Sequence, residues 1–261
     1  MLVVYLAALV LMVATSFWTT DPLTSKIVRT WGWQNYKIII HDATYLKITL
    51  RTLGMAVAVT IADLVLAFPI AYYGARIATP RTRSWLSLLV VIPLWANYLI
   101  RVFAWKTLLS GGGPVDALLS AVGLGSVSLA GTRWAVWITF CYLWLPFAIL
   151  PIYASLERVP ASYLEASSDL GAHAGMTFRK VVFPLAFPGI VAASIFTFSL
   201  TLGDYLTPTL VGKGLFLGNA IDSLVGTASN RPLAAAIAVI PIGIVAIYLA
   251  LAKRTGAFEA L

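Results

Sequence analysis

Long apolar runs dominate this sequence and leave few folds open to it. Three of them contain no charged side chain, namely Met1 to Thr20, Trp134 to Leu156 and Leu233 to Ala252. Each is about twenty residues long, enough for a helix to cross about 30 Å of hydrocarbon at about 1.5 Å per residue. Three further apolar runs contain one or two ions, namely Thr52 to Gly74, Trp85 to Leu109 and Leu185 to Val211. The sequence therefore predicts an all-α polytopic membrane protein with six transmembrane helices.

The composition agrees with a membrane location and excludes other classes. Of the 261 residues, 60% are hydrophobic and 11% are charged, which is too much apolar surface for a water-soluble domain. The single cysteine, Cys141, rules out an intrachain disulfide. The net charge of +8 suits anionic headgroups beside the helix ends, whereas no stretch concentrates basic residues for nucleic acid. We expect the lipid bilayer as a partner, and no nucleic acid.

The runs divide the chain into a first helix, a loop, a helical core and a tail. We predict a first transmembrane helix over residues 1–20, with a start that looks truncated because nothing precedes the apolar run. Residues 21–47 are polar and contain clustered aromatic side chains typical of an interface, so we predict an outer loop there. Residues 48–252 hold the other five helices. Residues 253–261 begin with Lys253 and Arg254, which mark a cytoplasmic anchor, so we predict a cytoplasmic tail there.

A polar segment, residues 157–186, separates two of the apolar runs. Ser162 stands three residues before Glu165, which is the spacing of a capping box, and Gly171 favours a helix end in the left-handed region. Pro184 then opens the next apolar run. The pattern predicts a short amphipathic helix that projects from the membrane and that a soluble partner could grip. An ordinary re-entrant loop, capped by Glu165 and Gly171, is the alternative.

This segment resembles the Glu-Ala-Ala loop of permease subunits of ABC importers. The family pattern is Glu-Ala-Ala, three residues, Gly, nine residues, and Ile-x-Leu-Pro. Here it is matched by Glu165-Ala166-Ser167, Gly171 and Val181-Val182-Phe183-Pro184. The departures are small or apolar exchanges at unchanged spacing. The resemblance implies the type I ABC importer permease fold, in which residues 48–252 form the permease core and residues 157–186 the cytoplasmic coupling loop.

The resemblance also implies a set of partners. The coupling helix would dock on a cytoplasmic ABC ATPase dimer, which binds ATP and magnesium, so that this chain needs no cofactor and no metal. Glu165 would accept hydrogen bonds from the ATPase and Ala166 would pack beneath it, and the implied coupling set is Glu165, Ala166, Ser167, Asp169, Gly171 and Pro184. The Lys and Arg count leaves the orientation open, but the basic turn from Arg76 to Arg83 favours a cytoplasmic loop. The resemblance implies a multi-pass location in the bacterial inner (plasma) membrane, with the coupling loop on the cytoplasmic side.

Other segments are similar to the spermidine/putrescine importer permeases. They are Pro93 to Trp105, Leu202 to Pro208, Gly218 to Ile221 and Asn230 to Ala235. This similarity implies import of a small cationic or zwitterionic solute such as a polyamine, delivered by an extracytoplasmic solute-binding protein. It also implies a second homologous permease, which favours a heterodimer. Relatives that import opines, amino acid derivatives or phosphonates share these segments, so those substrates stay open.

Charged and aromatic residues of the apolar runs are candidates for the solute path. Trp95, Tyr98 and Trp105 are predicted to share one helix face, where aromatic rings would attract ammonium groups. A lone Asp in mid-bilayer must face protein or water. The candidates are Asp63, Trp95, Tyr98, Arg101, Trp105, Asp204 and Tyr205. The alternatives are an interfacial belt for the aromatic residues and an ion pair between Asp204 and Arg101.

Two other functional classes fit the sequence less well. A stand-alone secondary transporter should show paired broken helices in two related halves, and no such repeat is present in the sequence. A membrane enzyme would need a catalytic cluster, whereas His41 and His173 are isolated and no nucleophile or phosphate loop is present. We therefore expect a transport subunit that is not an enzyme, with no catalytic residues.

Overall fold

The fold is almost entirely helical. The computed structural model describes residues 1–21, 24, 26–123, 125 and 128–254. Two short strands, β1 (Thr19–Thr20) and β2 (Ile27–Val28), pair antiparallel. The helices of the described residues are α1 (Leu2–Ser16), α2 (Gln34–His41), α3 (Ala43–Tyr72), α4 (Pro80–Trp95), α5 (Tyr98–Leu109), α6 (Pro114–Ala121), α7 (Arg133–Glu157), α8 (Ala161–Asp169), α9 (Ala174–Thr177), α10 (Phe183–Gly203), α11 (Leu206–Val211), α12 (Leu217–Gly226) and α13 (Arg231–Arg254). The prediction of an all-α polytopic protein is confirmed.

The number of full spans is smaller than the six that the sequence predicts. In the described residues, four helices are long and apolar enough to cross a membrane: Ala43–Ile77, Arg133–Glu157, Ala174–Gly203 and Arg231–Arg254. Two of these include a π-helical segment, Tyr73–Ile77 after α3 and Phe178–Val182 before α10. Helix α4 and the segment Tyr98–Ala121, which contains α5 and α6, would add a fifth span only as a pair bent by 97°. The apolar α1 has 15 residues, about 22 Å, which is shorter than the hydrocarbon layer.

The third predicted span, Trp85 to Leu109, is broken in the middle. Helix α4 contains Pro93 and ends at Trp95, and the side chain of Asn97 accepts a hydrogen bond of 2.9 Å from the backbone N–H of Leu99. Asn is a preferred N-cap residue because its side-chain oxygen satisfies a free N–H of the first turn. Asn97 therefore starts a new helix in a new direction.

Several predicted boundaries also need correction. The first helix ends at Ser16 and not at residue 20, because the chain enters β1. The predicted outer loop 21–47 contains α2 and the first turn of α3. Asp42 caps α3 by accepting a hydrogen bond of 2.8 Å from the N–H of Thr44, and hydrogen bonds from Thr44 lower the pKa of the Asp42 carboxyl. Of the predicted tail 253–261, residues 255–261 lie outside the described residues.

Helices α3, α7 and α10 form the centre of the bundle. Their contacts use small side chains, including the fully buried Ala56, Ala67 and Ala71 of α3, because small residues allow the backbones of membrane helices to approach closely. Gly189 of α10 is packed closely against α7: a Cβ there would lie 2.5 Å from the Cβ of Ser155 and 2.6 Å from the carbonyl of Pro151. The remaining long helix, α13, packs against α1, α12 and α10.

Candidate functional site

Helix α8 carries the coupling motif and lies just after the end of α7. It begins after Pro160 without a side-chain cap, so the predicted capping box of Ser162 and Glu165 is wrong: Pro160 takes the N-cap position and Ser162 lies inside the first turn. The predicted end is confirmed. Gly171 has a φ of 75°, and its N–H donates to the carbonyl of Ser168 at 2.8 Å, as in a left-handed helix C-terminus.

One face of α8 is anchored and the other is free. Leu164 packs against the hydrophobic cluster that α3, α7 and α10 form near α8. The hydroxyl of Ser167 lies 2.8 Å from that of Thr177. Glu165, Ala166 and Asp169 are exposed. The structure thus separates the predicted coupling residues, because Ser167 belongs to the anchored face.

Arginines of the predicted basic turn tie the junction of α7 and α8 to the π-helical segment that follows α3 and to α4. One guanidinium nitrogen of Arg76 donates to the carbonyls of Leu156 and Val159, both at 2.5 Å. We call this contact the Arg76 clasp. Arg83 donates to the carbonyl of Gly74 at 3.1 Å and lies 3.8 Å from the carboxylate of Glu157. The sequence predicts only a cytoplasmic loop from these two arginines, because the carbonyls that bind Arg76 lie about 80 residues away in the chain.

Aromatic side chains hold the return from α8 to the bundle. Phe178 makes edge contacts with Phe68 at 5.6 Å and Tyr72 at 6.0 Å between ring centroids, a geometry that adds to the packing energy. Pro184 lies exposed in the first turn of α10. A proline lacks the N–H that would continue the helical hydrogen bonds, and this one lies two residues after the π-helical segment Phe178–Val182. Pro184 therefore lies at the transition from that segment to α10.

Asp204 forms a saturated polar junction between α5, α10 and α11. Its carboxylate accepts hydrogen bonds from the hydroxyl of Tyr98 and, at 3.0 Å, from that of Thr207. It also accepts from the N–H groups of Leu206 at 2.8 Å and Thr207 at 3.1 Å. Asp204 therefore caps the start of α11 and fixes it to α5. Tyr205, the next residue, is partly exposed.

Arg101 does not take the place beside Asp204 that the sequence analysis offered as an alternative. Its guanidinium lies 6.0 Å from the centroid of the Tyr98 ring, and Tyr98 holds the carboxylate instead. Two buried nitrogens of Arg101, Nε and Nη1, donate to no acceptor among the described residues. A buried donor without a partner is costly, so Arg101 is a candidate to bind a group from outside the chain.

Asp63 is the other acid of the bundle, and it has no saturating partners. It lies in the middle of α3 and is fully buried. Neither of its oxygens accepts a hydrogen bond of normal geometry from the described residues, and the neighbouring polar group is the thiol of Cys141 on α7. The expectation that this acid faces protein and not lipid is met.

The predicted single aromatic face is wrong, because the bend after Trp95 separates its members. Trp95 ends α4 and is 86% exposed. Tyr98 and Trp105 lie on α5 and both face α7: Tyr98 stacks on Trp144 at 6.0 Å and Trp105 contacts Tyr142 at 5.2 Å between ring centroids. The aromatic side chains that remain together are therefore those of α5 and α7, which pack against the same hydrophobic core.

Comparison with known proteins decides the family. Residues 56–254 match the model of the binding-protein-dependent transport system inner membrane component. That range contains Asp63, the Asp204 junction and α8. The chain belongs to this family. It is a permease subunit of an ABC importer in the inner membrane, a transport component and not an enzyme.

Relatives of this permease agree with that assignment. The inner membrane ABC transporter permease protein YdcU of Escherichia coli K12 is 44% identical over 99% of this chain and 87% of its own length. The spermidine/putrescine transport system permease protein PotB of the same organism is 34% identical over 81% of this chain and 77% of its own length. Proteins with sequence identities as high as these two, over most of their length, share a fold.

Solved structures share the fold at low sequence identity. A chain of the alginate ABC transporter in complex with its alginate pentasaccharide-bound periplasmic protein matches 88% of this permease and 84% of that chain, with a TM-score of 0.73 and 15% identity. A chain of the inward-facing methionine transporter MetNI matches 84% of this permease and 97% of that chain, with a TM-score of 0.64 and 19% identity. The type I importer permease fold is therefore the fold of this chain.

Proposed function

We propose that this permease imports a small polyamine such as spermidine or putrescine. The observation that supports the proposal is the similarity to PotB, which extends over 81% of the chain and includes the segments around Tyr98 and Asp204. An ammonium group passing α5 would meet the ring of Tyr98 stacked on Trp144 and then the buried carboxyl of Asp63. Aromatic faces and carboxylates are the groups that bind ammonium.

A second solute class has its own support in Arg101. Its two unpaired buried nitrogens would suit a carboxylate or a phosphonate, which an arginine binds through paired hydrogen bonds. A zwitterion such as an opine or an amino acid derivative would use Arg101 for its acid group and the aromatic side chains of α5 and α7 for its amine. This is the alternative substrate class.

The proposal assigns coupling to the free face of α8. Glu165, Ala166 and Asp169 would dock on a cytoplasmic ATPase dimer that binds ATP and magnesium, while this chain holds no cofactor. Gly171 sets the helix angle by its left-handed turn, and Ser167 and Pro184 position the helix from the anchored side. The rest of the assembly is a solute-binding protein on the opposite side and a second permease, which we propose to be a different, homologous chain.

The test of coupling is the substitution Glu165→Ala in the assembled complex. We expect loss of most of the ATPase stimulation by loaded binding protein, because charge-assisted hydrogen bonds to the ATPase are removed. The matched control is Asp222→Ala, which removes an exposed acid of α12 outside the coupling loop. Full coupling in Glu165→Ala would contradict the docking role.

The test of the substrate is direct binding to the cognate binding protein. Radiolabelled spermidine, putrescine, an opine and an aminophosphonate are each titrated against that protein, and uptake is measured in vesicles that contain the whole complex. Polyamine binding and uptake are expected. If the opine or the aminophosphonate is taken up and the polyamines are not, the polyamine proposal is contradicted and the alternative substrate class is supported.

A further inference from the structure

A large cleft opens at the end of the bundle opposite α8. It lies between α3, the start of α7 and the loop after α11, and its volume is about 1120 Å³. Four of its lining side chains are cationic, and its described lining contains no carboxylate. These four are Lys47, Arg51, Arg133 and Lys213. Charges of one sign in a concave site attract the opposite charge, so the cleft is suited to an anion.

Backbone contacts hold the cationic segments together. Arg51 donates to the carbonyl of Leu215 at 3.2 Å, and the stem of Lys213 runs past Gly131, where a Cβ would lie 3.2 Å from the Cε of the lysine. The N–H of Gly131 donates to the carbonyl of Val211 at 2.8 Å. The loop after α11 is thus fixed to both helices, and the cleft is part of the folded bundle.

The helices place these cations at headgroup depth. Arg51 and Arg76 lie on one continuous helix, Ala43–Ile77, and at about 1.5 Å per residue they are about 38 Å apart. On α7, Arg133 and Glu157 are about 36 Å apart by the same measure. Both distances exceed the hydrocarbon thickness of about 30 Å. Each pair therefore brackets the apolar layer, and the cleft cations lie among the headgroups opposite α8.

Below the cations the cleft lining is apolar. Met55 and Ala58 line it from α3 and Trp137 lines it from α7, about 5 to 10 Å deeper along each helix. Tryptophan is favoured at this boundary. The space beside Gly54, between the cationic side chains and the apolar side chains of the cleft, is open, since a Cβ on this glycine would meet no atom within 4 Å.

We propose that the cleft binds one anionic phospholipid. Its phosphate lies among the four cations, and the first part of an acyl chain lies against Met55, Ala58 and Trp137. A free phosphate would use only the cationic level. An acidic protein surface that approaches from water would not reach residues about 10 Å below the headgroups. An amphiphile matches both levels, and the four cations make the cleft unsuitable as a polyamine route.

The test is lipid titration of the full-length chain in detergent, read by native mass spectrometry. The probes are phosphatidylglycerol, phosphatidylcholine and glycerol phosphate. We expect phosphatidylglycerol to bind at least tenfold more tightly than phosphatidylcholine. The double variant Arg51→Gln/Arg133→Gln should weaken phosphatidylglycerol about 10- to 30-fold. The control Lys106→Gln/Arg231→Gln removes two exposed cations outside the cleft and should change the affinity less than twofold.

A second variant keeps every charge and blocks the apolar level. Gly54→Trp should weaken phosphatidylglycerol at least fivefold and leave glycerol phosphate unchanged. Equal affinity for the two lipids, or an equal loss in the control double variant, would overturn the proposal. Tight glycerol phosphate binding without a lipid preference would identify a site for soluble anions instead. A cross-link from Gly54→Cys to the second permease would show that protein covers the cleft, which also contradicts it.

Discussion

The two acids inside the bundle, Asp204 and Asp63, have opposite surroundings. Asp204 accepts hydrogen bonds from two hydroxyls and two backbone N–H groups, whereas the oxygens of Asp63 accept none of normal geometry from the described residues. A saturated carboxylate joins helices and stabilises one arrangement of them. An unsaturated one in mid-bilayer destabilises the fold, and a transporter has reason to keep it only if a solute or another conformation uses it. We therefore propose that Asp204 has a structural role and that Asp63 has a role in transport.

The strongest test of this contrast is the substitution Asp204→Ala. It removes the acceptor of two N–H groups and the charged acceptor of the Tyr98 and Thr207 hydroxyls, which lie 2.8 Å apart and can then bond only to each other. We therefore expect the free energy of unfolding to fall by about 3 to 5 kcal/mol. Tryptophan fluorescence during thermal unfolding in detergent measures the change. Asp222→Ala, at an exposed acid of α12, should change it by less than about 0.5 kcal/mol. Equal effects at the two positions would remove the structural role.

The same substitution at the other acid should act in the opposite direction. Asp63→Ala removes a buried carboxyl whose only polar neighbour among the described residues is the weakly donating thiol of Cys141. We therefore expect the free energy of unfolding to rise by about 1 to 2 kcal/mol, after the loss from the small cavity is subtracted. Uptake in vesicles should fall. If the variant is destabilised as strongly as Asp204→Ala, the contrast between the two acids is wrong.

A smaller change sharpens the account of the Asp204 junction. Tyr98→Phe removes one of four donors and keeps the ring stacked on Trp144, so we expect a loss of about 1 kcal/mol in unfolding free energy. Polyamine uptake should persist, since the ring face remains. The double variant Tyr98→Phe/Asp204→Ala tests whether the two residues are coupled. Its loss of unfolding free energy should be smaller than the sum of the losses in the two single variants, because both substitutions remove the same hydrogen bond. Full additivity would place the two residues in separate contacts.

The coupling helix could be predicted from the sequence, whereas the side-chain contacts of the candidate solute path could not. Glu165, Gly171 and Pro184 stand at fixed offsets within one short segment, so local spacing predicts the helix and its end. The bend after Trp95 also had a local signal, since Asn97 is a good N-cap, but the apolar run on either side concealed it. The Arg76 clasp and the cationic cleft depend on residues about 80 or more positions apart, and composition does not reveal such contacts.

The Arg76 clasp restricts how coupling loops can be exchanged between permeases. A single guanidinium nitrogen serves the carbonyls of Leu156 and Val159, on either side of the point where a transplanted loop would be spliced. A chimera that carries a foreign α8 but shifts either carbonyl would leave the guanidinium of the π-helical segment after α3 without its acceptors. Engineered subunits intended for a different ATPase must therefore take that π-helical segment, Tyr73–Ile77, together with the loop.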